Sequence, residues 1–85
     1  MKEIKYVVKD ELGIHARPAG LLVKEARNFQ CEVSIKKDNT SVDAKSILRI
    51  MGLGVKQGDE ITVIFNGSDE AEASTTIKAF LAANL

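Results

Sequence analysis

The only histidine of the chain lies three residues before its only proline, in the run Gly13-Ile14-His15-Ala16-Arg17-Pro18-Ala19. A proline followed by apolar residues at helical spacing predicts a helix start, where the missing N–H costs little. Unpaired backbone N–H groups and the positive end of the helix dipole favour an anion there. Arg17 adds a cation whose planar fork of donors suits phosphate oxygens. The run therefore predicts a histidine that carries a phosphoryl group, at a phosphoryl-binding helix start formed by Ala16, Arg17 and Pro18.

A neutral imidazole nitrogen is nucleophilic at neutral pH, because the ordinary pKa of histidine is about 6.5. A phosphoryl group on that nitrogen can be accepted from one protein and handed to another. Taken alone, a lone histidine is more often a surface or core residue satisfied by a hydrogen bond. Arg17 can likewise be only a solvated charge at a helix end. The combination of His15, Arg17 and a helix start favours the chemical interpretation.

Alternating apolar and polar residues predict four short strands around this run. They lie at residues 4–8, 32–36, 41–43 and 61–65. Asp38 and Asn39 tolerate positive φ, so a hairpin is expected between the second and third strands. Because the strands are short and their alternate faces are polar, we predict one antiparallel sheet covered by helices on one side.

Apolar residues at helical spacing predict three helices. The first is expected to begin at Pro18, because the residue before a proline avoids helical φ and ψ, and its apolar stripe extends to Phe29. The second is a brief helix capped by Ser46. Asp69 and Glu72 resemble a capping pair that opens the last helix. The predicted order is β-α-β-β-α-β-α, within one domain that spans residues 1–85.

Composition excludes several classes of function. Twelve basic and twelve acidic residues balance to zero net charge, so no global field attracts nucleic acid or an anionic membrane. Four scattered aromatic residues supply no base-stacking platform. The lone Cys31 has no disulfide partner and no companions with metal-ligand spacing. No signal peptide or membrane-spanning run is found, so we expect a cytoplasmic protein without metal, cofactor or membrane insertion.

The run around His15 resembles the active-site motif of HPr, the histidine-containing phosphocarrier protein of the bacterial sugar phosphotransferase system. Residues 45–54, KSILRIMGLG, are similar to the segment around the regulatory serine in HPr proteins of Gram-positive type. The two blocks, their spacing and the total length extend the resemblance over essentially the whole chain. The resemblance implies an α+β fold, the HPr open-faced β-sandwich, with a four-stranded antiparallel sheet in the order 1-4-2-3 and three helices on one face.

The resemblance also implies roles and partners. Nδ1 of His15 would accept a phosphoryl group from phospho-enzyme I and pass it to the enzyme IIA domain of a sugar permease. Arg17 would contact the phosphoryl group and the partner's active site. Such a protein is a component of a relay, not an enzyme with its own turnover, and we expect it to be a monomer.

A partner-binding surface is predicted beside this site. On the first helix, a stripe of residues offset from the apolar stripe bears two cations. On the short helix, apolar residues lie beside a third cation. The residues concerned are Gly20, Lys24, Arg27, Ile47, Leu48, Arg49 and Met51. Alternatively, the stripe is only a solvated helix face, and the apolar residues of the short helix only close the hydrophobic core. Gly20 departs from the family, where a small or hydroxyl-bearing side chain is usual.

Ser46 has two interpretations. As the cap of a short helix it is explained by structure alone. The resemblance implies regulatory phosphorylation by an ATP-dependent HPr kinase/phosphorylase, with a transcription regulator as a further partner. HPr proteins that are never modified there also have this serine, and both Arg49 and Gly52 depart from the commonest Gram-positive pattern. Phosphorylation would be tolerated by the helix dipole, so its effect would fall on docking rather than on folding.

Two other functions compete with a sugar-branch carrier. A regulatory paralogue, such as the nitrogen-branch phosphocarrier, uses the same chemistry without sugar uptake. A pure binding module like the catabolite-repression HPr homologue partners a transcription regulator, but that homologue lacks the active histidine, so His15 argues against it. A nucleic-acid-binding α+β domain is disfavoured by charge and by the few aromatic residues.

Overall fold

The computed structural model describes residues 1–85 as a four-stranded antiparallel sheet with three helices. The strands are β1 (Lys2–Val7), β2 (Glu32–Lys37), β3 (Thr40–Asp43) and β4 (Glu60–Asn66). The helices are α1 (Ala16–Ala26), α2 (Ile47–Gly52) and α3 (Glu70–Asn84). The strands are ordered β1-β4-β2-β3, which confirms the predicted fold class, element order and sheet order.

One face of the sheet forms the floor of the hydrophobic core. Ile61, Val63 and Phe65 of β4 are fully buried, whereas the alternate residues Thr62 and Ile64 are only partly buried on the other face. The register continues this face across the sheet, because Val63 of β4 pairs with a core-facing residue on each side, in β1 and in β2. The helices complete the core with apolar side chains, among them Leu22, Ile50, Ile77 and Leu81. All three helices therefore cover the same side.

Helix α1 begins at Ala16, two residues before the predicted start at Pro18. A proline is tolerated there because the N–H groups of the first turn have no acceptor within the helix, so none is lost. The steric preference of Arg17 for extended backbone is overridden in this position. The helix ends at Ala26, so Phe29 lies beyond it, half-buried against the core, and the prediction of a longer helical stripe is wrong.

Asp69 is the N-cap residue of α3, but the predicted capping pair with Glu72 is wrong, because the Asp69 side chain makes no capping hydrogen bond. The Asp69 carboxylate makes no bond to its own helix and instead accepts from the backbone N–H groups of Gln30 and Cys31, at 2.8 and 2.9 Å. Those two N–H groups hold the pKa of Asp69 below its ordinary value, and the N–H of Gln30 makes the larger contribution. Asp69 thus ties the start of α3 to the turn before β2.

Cys31 is a buried free cysteine in that same turn. Burial, and then its hydrogen bond with Asp69, raises the pKa of the Cys31 thiol. Because the reactive form of cysteine is the thiolate, this residue is a structural part of the core. None of the three helices is long and apolar enough to cross a membrane.

Candidate functional site

His15 lies at the N-terminus of α1. It is the N-cap residue, with extended backbone angles (φ −106°, ψ −179°), and its carbonyl accepts from the N–H of Ala19 at 3.0 Å. Its side chain makes no capping hydrogen bond, and 36% of the side chain is exposed. The backbone of His15 therefore starts the helix, while its imidazole is left available for chemistry at the surface.

The helix start next to His15 has donors without acceptors. The backbone N–H groups of Ala16 and Arg17 make no hydrogen bond within the chain, and Pro18 has no N–H. No acidic side chain lies in the first turn of α1 to oppose an anion. Two N–H groups at the positive end of a helix dipole can therefore bind the oxygens of a phosphoryl group.

Arg17 lies on the exposed side of the first turn. Its guanidinium makes no ion pair or hydrogen bond with the rest of the chain, although Arg17 and His15 line the same surface depression. The other lining residues are Asp10, Pro18, Leu21 and Asn84. An arginine with all its donors unused, beside a histidine at a helix start, can bind a phosphoryl group on that histidine.

The loop before His15 is held by backbone contacts that sequence reasoning did not identify. A main-chain oxygen of Leu85 accepts from the N–H groups of Lys9 and Asp10, at 2.6 and 2.9 Å. The N–H of Ile14 donates to the carbonyl of Val55 at 3.1 Å. These bonds join the loop to the end of α3 and to the segment before β4, so His15 is positioned from both sides.

Gly13 is required in this loop for two reasons. Its φ is +66°, a conformation that side chains rarely adopt, and a Cβ there would lie 2.2 Å from the carbonyl oxygen of Val55. Gly13 lies within the motif around His15, but the motif alone does not indicate this role. A glycine two residues before the candidate histidine was the signal available for it.

A carboxylate also lies beside the imidazole. Oδ2 of Asp10 is 3.8 Å from Nε2 of His15, and 30% of the Asp10 side chain is exposed. Oδ1 of the same carboxylate accepts from the N–H of Leu12 at 2.8 Å. The sequence alone does not predict this contact, because nothing in the spacing indicates that the loop before His15 folds back toward the imidazole.

Ser46 is the N-cap of α2, as predicted, and its Oγ accepts from the N–H of Arg49 at 3.4 Å. Within α2, Ile50 is fully buried. Ile47, Leu48 and Met51 are instead 43%, 85% and 40% exposed. One residue thus anchors this short helix in the core, and three apolar residues are left at the surface.

Helices α1 and α2 meet at Gly20. A Cβ built on Gly20 would lie 4.0 Å from Cδ1 of Ile47, so the two predicted partner-binding elements are neighbours. Leu21, which sequence analysis did not single out, is 43% exposed on α1 and also lines the depression at His15. We call the surface formed by Gly20, Leu21, Ile47, Leu48 and Met51 the α1–α2 surface.

The predicted cations differ in what they contact. Lys24 and Arg49 are exposed and their side chains make no ion pair. The guanidinium of Arg27 donates to the carbonyl oxygen of Lys45, through Nη2 at 3.1 Å and Nε at 3.3 Å. Arg27 therefore also ties the end of α1 to the residue before Ser46. No group of three or more side chains is arranged to hold a metal ion.

Comparisons with known proteins agree on one family. The family model described as "PTS HPr component phosphorylation site" matches residues 2–83. The phosphocarrier protein HPr of Mycoplasma pneumoniae is 46% identical over 82 residues, which cover 95% of this chain and 93% of that protein. The crystal structure of HPr-C-His from Thermoanaerobacter tengcongensis has a TM-score of 0.93 and 41% identity, covering 98% of this chain and 93% of that one.

A third relative shows that proteins of this fold can also form a dimer. The catabolite repression protein Crh of Bacillus subtilis is 40% identical, with a TM-score of 0.79, over 100% of this chain and 98% of that one. Its crystal structure is described as a dimer with a swapped domain.

Proposed function

This chain belongs to the HPr family of phosphocarrier proteins of the phosphotransferase system, and we propose that it carries the phosphoryl group on His15. It is a phosphocarrier and not an enzyme. The proposed donor is phospho-enzyme I, itself charged from phosphoenolpyruvate, and the proposed acceptor is the enzyme IIA domain of a sugar permease. The observation that carries the proposal is the partly exposed imidazole of His15 beside two unpaired helix N–H groups.

In the proposed transfer, a lone pair on Nδ1 of His15 attacks the phosphorus atom. The N–P bond forms while the bond from phosphorus to the donor breaks, and its electron pair returns to the donor. The phosphoryl oxygens lie against the N–H groups of Ala16 and Arg17, and the guanidinium of Arg17 binds them from the side. Transfer to the acceptor reverses these steps, with Nδ1 recovering the electron pair.

We assign partner docking to the α1–α2 surface, with Lys24, Arg27 and Arg49 at its borders. Apolar side chains surrounded by cations suit a partner whose own surface is apolar at its centre and acidic at its rim. The observation in favour is that Leu48 is 85% exposed beside a fully buried Ile50. The charges would mainly increase the rate of association, and the apolar contacts would hold the complex.

Labelling by the proposed donor tests the carrier function. The chain is incubated with enzyme I and phosphoenolpyruvate, and the site of the phosphate is located. We expect an acid-labile, base-stable phosphate on His15 and none in His15→Ala. A label that persists in His15→Ala would refute the assignment, and a wild-type chain that takes no label would favour a pure binding module. Transfer from the labelled chain to a sugar-permease IIA domain separates the sugar branch from a nitrogen-regulatory branch.

We propose that phosphorylation of Ser46 by an HPr kinase/phosphorylase inhibits phosphorylation of His15. A phosphate adds roughly −1.5 to −2 charges at neutral pH, next to the exposed apolar residues of α2. Those charges would repel an acidic partner and would have to be desolvated on docking. We expect Ser46→Asp to stay folded and to accept phosphoryl more slowly than wild type and Ser46→Ala. Equal rates for all three proteins would leave Ser46 as a helix cap only.

We propose that the chain acts as a monomer. In support, β1 pairs along its whole length with β4 of the same chain, from Lys2 opposite Phe65 to Val7 opposite Glu60. Light scattering after size-exclusion chromatography should give the mass of one 9.2 kDa chain over a wide range of concentrations. A stable species of twice that mass would refute the monomer and indicate a dimer, the state that is described for Crh with a swapped domain.

A further inference from the structure

Asp10 provides the carboxylate nearest to the functional imidazole. Its Oδ2 lies 3.8 Å from Nε2 of His15. Among the side chains that line the depression at His15, Asp10 is the only anion. The amide of Asn84 already donates to the carbonyl of Phe80 at 3.0 Å, and Arg17 is a cation. Asp10 is therefore the only negatively charged hydrogen-bond acceptor among these side chains, because the remaining acceptor, Oδ1 of Asn84, is neutral.

Asp10 is also held in place independently of His15. Its N–H donates to a main-chain oxygen of Leu85, its carbonyl accepts from the N–H of Gly13 at 2.9 Å, and its Oδ1 accepts from the N–H of Leu12 at 2.8 Å. Three bonds fix both the backbone and the orientation of the carboxylate. Oδ2, the oxygen that these bonds do not use, is the one that lies beside His15.

We propose that Asp10 is a positioning residue, which holds the proton of His15 on Nε2 and so presents the lone pair of Nδ1 to the incoming phosphorus. The tautomer of a neutral histidine is set by the partner of its second nitrogen, and a carboxylate can only accept. This inference rests on the proposed phosphoryl transfer. The distance of 3.8 Å is that of an ion pair and is longer than a hydrogen bond, so in the free protein the carboxylate favours a proton on Nε2 through its charge. We expect the two groups to approach to hydrogen-bond distance when the ring becomes charged during transfer.

The charge balance of the transfer gives Asp10 a second effect. When Nδ1 bonds to phosphorus and Nε2 keeps its proton, the imidazole ring acquires a positive charge. No proton moves to Asp10, so its carboxylate stays negative and stabilises the ring from the side opposite the new bond. Because both side chains are about one-third exposed, the stabilisation is that of a partly solvated ion pair, a factor of about five in rate.

The test uses the Asp10→Asn variant. The amide oxygen of asparagine can keep the hydrogen bond from Leu12, and its NH2 group then faces Nε2 of His15. A donor facing Nε2 favours the other tautomer, with the proton on Nδ1. Glu11→Gln is the matched control, because it removes one carboxylate from the same loop at an exposed position whose side chain makes no hydrogen bond or ion pair.

The ring nitrogens are observed by 15N NMR at about pH 8.5, where a histidine of ordinary pKa is neutral. We expect the Nε2–H tautomer in wild type and Glu11→Gln, and a shift toward Nδ1–H in Asp10→Asn. Phosphoryl acceptance from enzyme I should fall about fivefold in Asp10→Asn only. An unchanged tautomer, or an unchanged or faster rate in Asp10→Asn, would overturn the role of Asp10. Wild-type chain that accepts no phosphoryl group would instead refute the carrier function, whatever its tautomer.

Discussion

Replacing Gly13 by alanine should damage both the stability of the fold and the position of His15. The added Cβ would lie 2.2 Å from the carbonyl oxygen of Val55 and 2.8 Å from Cα of Lys56. Both are backbone atoms, so no side chain can move aside to relieve the contact. The loop must therefore move away from this segment, and the hydrogen bond from the N–H of Ile14 to the carbonyl of Val55 is lost.

The size of the effect can be worked from these contacts. Alanine at φ +66° costs about 1 kcal/mol in backbone strain. Loss of the Ile14–Val55 hydrogen bond costs about 1 kcal/mol. Partial exposure of Ile14, which is buried in the native loop, costs roughly another 1 kcal/mol. We therefore expect Gly13→Ala to lower the free energy of unfolding by about 3 kcal/mol, which leaves a typical domain folded.

Gly54 offers a matched control. Its φ is +64°, nearly that of Gly13, but nothing lies within 4 Å of a Cβ added there. Gly54→Ala should therefore show only the backbone strain of about 1 kcal/mol. The difference between the two variants, about 2 kcal/mol, corresponds to roughly 8–16 °C in Tm for a domain of this size.

Urea denaturation and phosphoryl transfer measure the two consequences separately. We expect Gly13→Ala to lose more stability than Gly54→Ala, and to accept phosphoryl up to about a hundredfold more slowly because His15 is displaced. Gly54→Ala should transfer at the wild-type rate. If the two variants are equally stable and equally active, the contact between Gly13 and Val55 does not position the site.

Three further predictions follow from other parts of the molecule. Arg17→Ala should slow transfer both to and from His15 without changing Tm, and Arg17→Lys should restore only part of the rate, because the charge returns without the fork of donors. Leu48→Ser should raise the KM for enzyme I about tenfold at unchanged stability, while Arg49→Glu and added salt should slow association, all measured by transfer kinetics. Asp69→Asn should be less stable than wild type at pH 7, because the N–H of Gln30 lowers the folded-state pKa of Asp69. The stability that this carboxylate contributes is present above its unfolded pKa and is lost as pH falls through the folded pKa. Denaturation curves of the two proteins should therefore begin to converge only below about pH 4.

Local sequence patterns predicted most of the fold because each strand and helix has its own apolar period. β4 shows this most clearly, since Ile61, Val63 and Phe65 alternate with partly exposed residues and are fully buried. The order of strands in the sheet came from the family resemblance, because periodicity contains no information on which strands are neighbours. The same limit explains the error at Asp69, whose partners Gln30 and Cys31 are nearly forty residues away in sequence.

The candidate site likewise has one part that the sequence predicts and one part that it does not. His15, Arg17 and the helix start are adjacent in sequence, so their combination could be predicted without a structure. Asp10 and Val55 reach the site only through the path of the loop, which local patterns do not predict. The start of α1 was predicted two residues too late, because the residue before a proline, here Arg17, prefers extended backbone. In the structure this preference is overridden by the contacts that anchor the loop on either side of His15.

A phosphoryl carrier must release the group as readily as it accepts it, and the site is built in a way that allows both. The contacts available to the phosphoryl group are two backbone N–H groups and one exposed guanidinium, and His15 itself is only partly buried. A deep pocket with more fixed donors would bind the phosphoryl group more tightly in the ground state and thereby slow its departure. The rigid contacts, at Gly13 and Asp10, act instead on the loop and the imidazole. In the proposed transfer, the structure therefore holds the nucleophile of His15 in place and leaves the phosphoryl group accessible to the next protein.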